Sequence, residues 1–289
     1  MPSRRAAPQC RRVRFLMAFA VTAMAVAAPL AAASGYSPDE KALIWLRTKL
    51  YEWEYRRIME KGALLDLALS HLKACPVAWN DDFPAFQRER LAGFISDLPG
   101  APKDDMICFG DSLLDLTRDR LGSVRPGLNF SVSGSWAHHM ARIAAEMRSP
   151  LVREGIYGRV RYVIVGSLGG NPLLMRQPVD ITIKRSIEAL DSIRRLYPGA
   201  RIIVFGIPPT VSLYVNLNAP DFEAALWRWV RGDRDAVFLP LQRRFAGRFG
   251  LFPRGVMSTD GVHFSRKGAR EFDRLLRKGK LVPSGTIVD

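Results

Sequence analysis

From Pro99 onward the sequence alternates short apolar runs with longer stretches of helical periodicity. Short apolar runs between turn signals indicate buried strands, whereas apolar residues spaced three and four apart indicate helices. The predicted strands are Met106–Phe109, Leu128–Val132, Val160–Val165, Arg201–Phe205 and Leu251–Met257. The predicted helices are Leu113–Leu121, Trp136–Met147, Ile181–Tyr197, Ala236–Phe249 and Arg266–Lys278. Buried strands separated by helices predict an α/β fold with a mostly parallel sheet covered on both faces.

An all-helical segment is predicted in front of this region. Ser37-Pro38-Asp39-Glu40 has the residues of a helix start, with Ser at the cap, Pro first and Glu at the third position. Further helices fit Ala63–Lys73 and Pro84–Leu98. We therefore expect a helical extension over residues 34–99, followed by the α/β domain over residues 100–289.

The first 33 residues have the pattern of a secretory signal peptide. Five arginines precede an apolar stretch over Phe15–Ala28, which Pro29 ends, and Ala31-Ala32-Ala33 offers a cleavage site. The apolar stretch is short for a membrane span, and an uncleaved anchor is the alternative. The sequence therefore predicts a periplasmic or secreted protein, with membrane attachment only if this segment is retained.

The chain is strongly basic. It has 43 basic and 28 acidic residues, and five of the basic ones lie in the first 33 positions, which leaves 38 against 28, a net charge of +10. Such an excess favours an anionic partner such as a cell-envelope component, or is simply a solvated basic surface. The sequence has no zinc spacing, RNA-binding signature or clear helix-turn-helix, so nucleic acid is not an expected partner.

The three cysteines are not spaced for a metal site. Cys10 would leave with the signal peptide. Cys75 and Cys108 could pair in an oxidising compartment, whereas the place of Cys108 in a predicted central strand favours a buried free thiol. Neither a metal nor an organic cofactor is expected.

Gly110-Asp111-Ser112-Leu113 follows the first predicted strand and opens the next helix. A serine at a strand-to-helix turn is exposed at the sheet edge, near backbone N–H groups that favour developing negative charge. The same residues would also serve as an ordinary Asp/Ser helix cap. The chemical interpretation requires a base, because a serine hydroxyl is a poor nucleophile until its proton is removed.

His263 is the best candidate for that base, since histidine titrates near neutral pH. It lies between a turn and a helix start, with Asp260 three residues earlier, and a carboxylate there can fix the imidazole tautomer. Asp260 would otherwise be a loop cap and His263 a surface residue. The Gly-x-Ser-x-Gly pattern of a nucleophile elbow is not met, because Leu113 and Leu114 follow Ser112.

Gly134 and Asn171 are candidate donors to an oxyanion, together with the Ser112 N–H. Each follows a predicted strand, and the carboxyl ends of parallel strands meet at one edge of a sheet. Glycine allows close approach of its backbone to a substrate, and Asn171 offers a side-chain N–H. Both residues also fit plain turn positions, with Asn171 directly before Pro172.

These segments resemble the motif blocks of the SGNH/GDSL hydrolase superfamily, over about Asp105 to Leu276. The blocks, in the family's order, are Gly110-Asp111-Ser112-Leu113, Asn129-Phe130-Ser131-Val132-Ser133-Gly134, Gly169-Gly170-Asn171 and Asp260-Gly261-Val262-His263. One departure is Pro172, because the third block is usually followed by Asp. The resemblance implies a flavodoxin-like three-layer α/β/α fold.

The resemblance also implies a serine esterase. Ser112 would be the nucleophile, His263 the base and Asp260 its orienting carboxylate, with Gly134 and Asn171 in the oxyanion hole. The expected substrate is an acyl or acetyl ester, either a small molecule or an ester on envelope glycan or lipid. An acyltransferase using the same site and a non-catalytic envelope binding or assembly protein are the alternatives.

Overall fold

The computed structural model describes residues 82–210, 212–245, 255–258 and 261–288. The predicted signal peptide, most of the predicted helical extension and Cys75 lie outside these ranges. Cleavage at Ala33, the boundary near residue 99 and a Cys75–Cys108 pair therefore stay predictions. In the described part of the chain Cys108 is a buried free thiol.

The sheet of the described region has five parallel strands in the order β1-β2-β3-β4-β5. They are β1 (Met106–Gly110), β2 (Tyr162–Gly166), β3 (Arg201–Phe205), β4 (Ala236–Leu239) and β5 (Thr286–Ile287). The first three agree with the sequence prediction to within two residues at either end. The register pairs Gly110 with Gly166, so β1 and β2 end side by side.

Helices connect and cover these strands. They are α1 (Ala85–Asp97), α2 (Ser112–Asp115), α3 (Ala137–Arg153), α4 (Gly170–Leu174), α5 (Val179–Leu196), α6 (Leu213–Gly232), α7 (Leu241–Phe245) and α8 (Arg266–Leu281). None of the helices in the described ranges is long and apolar enough to cross a membrane.

Alternate residues of each strand pack on opposite faces of the sheet, as a period of two requires. Ile107 and Phe109 of β1 join a core with residues of α1, α3, α5 and α6. Met106 and Cys108 join a second core with residues of α2, α7 and α8. The molecule therefore has the predicted three α/β/α layers around a parallel sheet.

The predicted strand Leu128–Val132 is an extended segment on the free side of β1. The Phe130 N–H donates to Cys108 O (2.9 Å) and the Val132 N–H to Gly110 O (3.0 Å). The chain thus first places this segment on one side of β1 and then places β2 on the other side, so the direction of strand addition reverses at β1. A reversal of this kind is where open α/β sheets place their ligand clefts.

At the β4 end of the sheet, the described residues differ from two sequence predictions. The range predicted as a helix, Ala236–Phe249, begins with strand β4, and among its described residues the helical ones are Leu241–Phe245. The described end of the predicted strand Leu251–Met257 is a turn, in which Met257 forms an isolated antiparallel bridge with Phe264. On the side of β4 away from β3, the paired strand is β5, which lies near the end of the chain.

Candidate active site

Ser112 is the first residue of α2, directly after β1 and its cap Asp111. The Asp111 side chain accepts a hydrogen bond from the Leu113 N–H (3.0 Å), which closes the first turn. Gly110 allows the end of β1 to lie close to β2 and α2, because a Cβ at this position would lie 2.5 Å from Gly166 O and 2.7 Å from Leu114 Cδ1. The local structure of the motif therefore comes from one close strand contact and one capping carboxylate.

His263 meets Ser112 from the opposite end of the chain. Its Nε2 lies 2.8 Å from Ser112 Oγ, which is hydrogen-bond distance. The loop that carries it is anchored by the Ser258 N–H, which donates to His263 O (2.6 Å), and by the Ser265 N–H, which donates to Val256 O (2.9 Å). The structure thus brings the two residues together as a serine and base pair requires.

Asp260, the predicted partner of His263, lies outside the described residues. Its orienting role therefore stays a prediction that rests on its place three residues before His263.

Asn171 and Gly134 are joined through one hydrogen bond. Asn171 Nδ2 donates to Ser135 O (3.0 Å), and Ser135 directly follows Gly134. An amide nitrogen carries two N–H groups, so a second one is left for a ligand. Gly134 has φ +78°, a conformation that glycine adopts without strain, in a loop beside the carboxyl end of β1.

Pro172 fits the structure without disturbing Asn171. It is buried in the first turn of α4, where a backbone N–H has no partner within the helix. Asn171 precedes it in the same turn, and Asn171 O accepts from the Met175 N–H (3.0 Å). The departure from the family pattern is therefore accommodated by a short helix instead of a loop.

Asp111 is a functional candidate whose own role the sequence did not reveal, because it lies inside the motif that contains Ser112. Its side chain is 3 % exposed and faces the cleft beside Ser112. Burial raises the pKa of this carboxyl to about 7, although the Leu113 N–H, the charge of His263 and the nearby Ser167 hydroxyl each draw the pKa down. In the sequence, the one sign of a role for Asp111 was its position directly before Ser112.

A cleft opens over these residues and has a volume of about 280 Å³ including its mouth. Polar groups of Asp111, Ser112 and Asn171 form one part of its wall. The rest is mostly apolar and includes Leu113, Leu174, Ile207, Pro208 and Val262. The described residues contain no group of His, Cys, Asp and Glu side chains that would hold a metal ion.

Comparison with solved structures gives matches over most of the described fold. A Streptococcus pneumonia protein provisionally described as a platelet activating factor aligns at 16 % identity with a TM-score of 0.54, covering 67 % of this chain and 92 % of that one. A Bacteroides fragilis protein provisionally described as an acylhydrolase aligns at 13 % identity with a TM-score of 0.50, covering 68 % and 97 %. No protein-family model and no curated protein matches the sequence.

The chain shares the α/β fold of these two solved structures. Within this fold the first three motif blocks lie at neighbouring strand ends: the first follows β1, the second runs beside β1, and the third follows β2. The described part of the last block reaches them through His263. Residues that are far apart in the sequence therefore meet at one edge of the sheet.

Proposed function

We propose that this protein is an SGNH-type serine hydrolase that cleaves carboxylic esters. The observation that carries the proposal is the 2.8 Å contact between His263 Nε2 and the Oγ of Ser112, a residue that lines the cleft. In an unprotonated state His263 Nε2 accepts the serine proton, which makes the oxygen nucleophilic at neutral pH.

Each half of the reaction uses the same two residues. Ser112 Oγ attacks the carbonyl carbon while its proton passes to His263 Nε2, and the carbonyl oxygen becomes an oxyanion. When the C–O bond of the ester breaks, His263 returns the proton to the departing alcohol and leaves an acyl group on Ser112. Water then gives a proton to His263 as it attacks the acyl carbon, and Ser112 leaves with the proton restored.

Three donors are proposed to bind the oxyanion: the N–H groups of Ser112 and Gly134 and the second N–H of Asn171. Their common position at the ends of β1 and β2 supports this role, as does the hydrogen bond that joins Asn171 to Ser135. Asp260 is proposed to accept from the other nitrogen of His263 and thereby to hold its tautomer.

The proposed substrate is a short acyl or acetyl ester, on a small molecule or on envelope glycan or lipid. The small cleft and its apolar wall residues, such as Leu174 and Ile207, support a short acyl group. The net charge of +10 after removal of the first 33 residues supports an anionic envelope component as a neighbour.

We also propose that the protein acts outside the cytoplasm. The arginine-rich start, the apolar stretch and Ala31-Ala32-Ala33 support export with cleavage before Ser34. N-terminal sequencing of the protein purified from its host should find Ser34 first. Met1 or Pro2 at the N-terminus of a membrane-bound protein would instead support the anchor.

Labelling with a fluorophosphonate tests the catalytic assignment, because this reagent bonds to an activated serine. We expect one adduct, mapped by peptide mass spectrometry to Ser112, and hydrolysis of short nitrophenyl esters. Ser112→Ala should abolish both and lower turnover by several orders of magnitude, without changing the melting temperature.

Ser192→Ala, on α5, is the matched control and should label and turn over like the unsubstituted protein. Retention of a tenth of the turnover in Ser112→Ala would remove Ser112 from the mechanism. Absence of both labelling and hydrolysis in the unsubstituted protein would favour the non-catalytic alternative.

A further inference from the structure

Asp115, the last residue of α2, uses both of its carboxylate oxygens. Oδ2 accepts from the Ser133 N–H (3.0 Å) and from Ser133 Oγ (2.7 Å). Oδ1 accepts from Arg90 Nη2 and Arg118 Nη2, both at 3.2 Å. Its side chain is only 13 % exposed, so these contacts lie largely away from water, where they are screened less than on the surface.

Asp115 is rigidly connected to the proposed nucleophile. Its N–H donates to Asp111 O (3.0 Å), and the Leu116 N–H donates to Ser112 O (2.9 Å). The carboxylate therefore moves together with the helical turn that begins at Ser112.

At its other end the carboxylate holds the loop that contains Gly134. Ser133 is bound by Asp115, the Ser135 N–H donates to Val132 O (3.1 Å), and Asn171 donates to Ser135 O (3.0 Å). A Cβ at Gly134 would have no heavy atom within 4 Å, so packing does not locate this residue. Its position follows from the hydrogen bonds on either side of it.

The two arginines carry the charge opposite to that of the Asp115 carboxylate, and a hydrogen bond between charged groups is roughly twice as strong as a neutral one. They are themselves held in place, because both guanidinium groups lie over the Phe94 ring, at 5.1 Å and 5.2 Å. Arg118 Nη2 also donates to Ser131 O (3.2 Å), in the segment that leads into the loop. The cluster thus fixes α2 and the loop against each other.

We propose that Asp115 is a positioning residue for ester hydrolysis, whose carboxylate sets the place of the Gly134 N–H relative to Ser112. The inference rests on the proposed function, because it concerns the oxyanion formed in that reaction. A donor displaced by even about 1 Å loses much of its value in a transition state, although it affects ground-state binding little.

Asp115→Asn is the informative substitution, since it keeps the shape of the side chain and removes its charge. One half of an amide donates, so either Ser133 or the arginine pair loses its acceptor. We expect kcat to fall by about 10- to 100-fold while KM changes less than about twofold. Rates are normalised to the fraction of protein that fluorophosphonate labels at completion, so that unfolded protein does not count.

A second readout separates positioning from stability. A boronic acid that forms a tetrahedral adduct on serine should lose affinity in Asp115→Asn by about the same factor as kcat/KM, because it mimics the transition state. The control, Asp119→Asn, removes an exposed acid that lies near the same Arg118, and should leave kcat, KM and inhibitor affinity unchanged.

A double-mutant cycle tests whether Asp115 and Asn171 act on the same loop. Asn171→Ala should lower kcat by roughly 10²–10³, the range for loss of one oxyanion donor. Adding Asp115→Asn should cost less in that background than in the unsubstituted protein, since the loop has already lost one anchor.

The outcomes distinguish the two proposals. An unsubstituted protein that hydrolyses esters, combined with wild-type kcat and boronate affinity in Asp115→Asn, overturns the positioning role alone. A lower melting temperature with unchanged kcat per labelled site also overturns it and leaves Asp115 a structural ion pair. An unsubstituted protein with neither labelling nor turnover overturns the proposed function itself.

Discussion

Two buried carboxylic acids, Asp111 and Glu223, lie at the same edge of the sheet and have different surroundings. Asp111 follows β1 and faces the cleft, whereas Glu223, on α6, packs against Gly206 at the end of β3. They are 3 % and 7 % exposed. Burial raises the pKa of Asp111 to about 7 and that of Glu223 to about 8.

The difference lies in what each acid faces. Asp111 borders the cleft beside Ser112, and the charge of His263 acts on it. Glu223 Oε1 accepts from the Gln242 N–H (2.9 Å), and a Cβ at Gly206 would lie 1.9 Å from the same oxygen. A raised pKa therefore does not by itself indicate a role in the chemistry; Asp111 is a candidate because it also lies beside Ser112 and lines the cleft.

The larger effect on activity is expected at Asp111. Above about pH 7 its carboxylate is ionised, and in the proposed reaction this charge would stabilise the imidazolium formed on His263, so turnover should gain from the ionisation of Asp111. Asp111→Asn keeps an acceptor for the Leu113 N–H and should lower kcat roughly tenfold at pH 8, with little change at pH 6.

The measurement for Asp111 is kcat over pH 6 to 8 for both proteins. A parallel loss at all pH values would mean that Asp111 acts only as a helix cap, and the contrast with Glu223 would then disappear.

The smaller effect on activity is expected at Glu223, whose substitution should instead change the pH dependence of folding. The folded state binds this proton more tightly than the unfolded chain, so the contribution of Glu223 to stability is fully present below about pH 4.5 and is lost as pH rises toward 8. The expected loss is a few kcal/mol, at about 1.4 kcal/mol per pKa unit. Glu223→Gln keeps an acceptor for Gln242 and should flatten this decline without altering kcat.

Urea unfolding at several pH values measures the effect, with Glu188→Gln, an exposed acid on α5, as the control. Equal slopes in Glu223→Gln and the unsubstituted protein would show that Glu223 is ionised in the folded state. A loss of turnover in Glu223→Gln would mean that Glu223 also takes part in the reaction, and the contrast with Asp111 would no longer hold.

The part of the fold that local pattern determines was predictable. The apolar runs of β1, β2 and β3 stand between clear helical stretches, and the structure has strands there. Strand β4 was missed because its four apolar residues run through Pro240 into the short helix α7, and so short a run does not separate strand from helix. β5 has only two residues, and its pairing with β4 depends on tertiary contacts.

The residues of the candidate site also differ in how far the sequence could predict them. Ser112 and His263 could be found because their chemistry is tied to short motifs in a fixed order. Asp111 and Asp115 belong to the same stretch of sequence, but their roles depend on burial and on partners such as Ser133, which approach only in the folded chain. Asp260 remains a motif-based prediction.

The glycine that opens the serine motif has a practical consequence for protein engineering. Because a Cβ at Gly110 would lie 2.5 Å from Gly166 O, any side chain there would push β1 and β2 apart just before Ser112. It serves as a spacer, and libraries that aim to change acyl preference should leave it constant. Leu174 and Ile207 reach the cleft from separate elements, so they are the positions to diversify first.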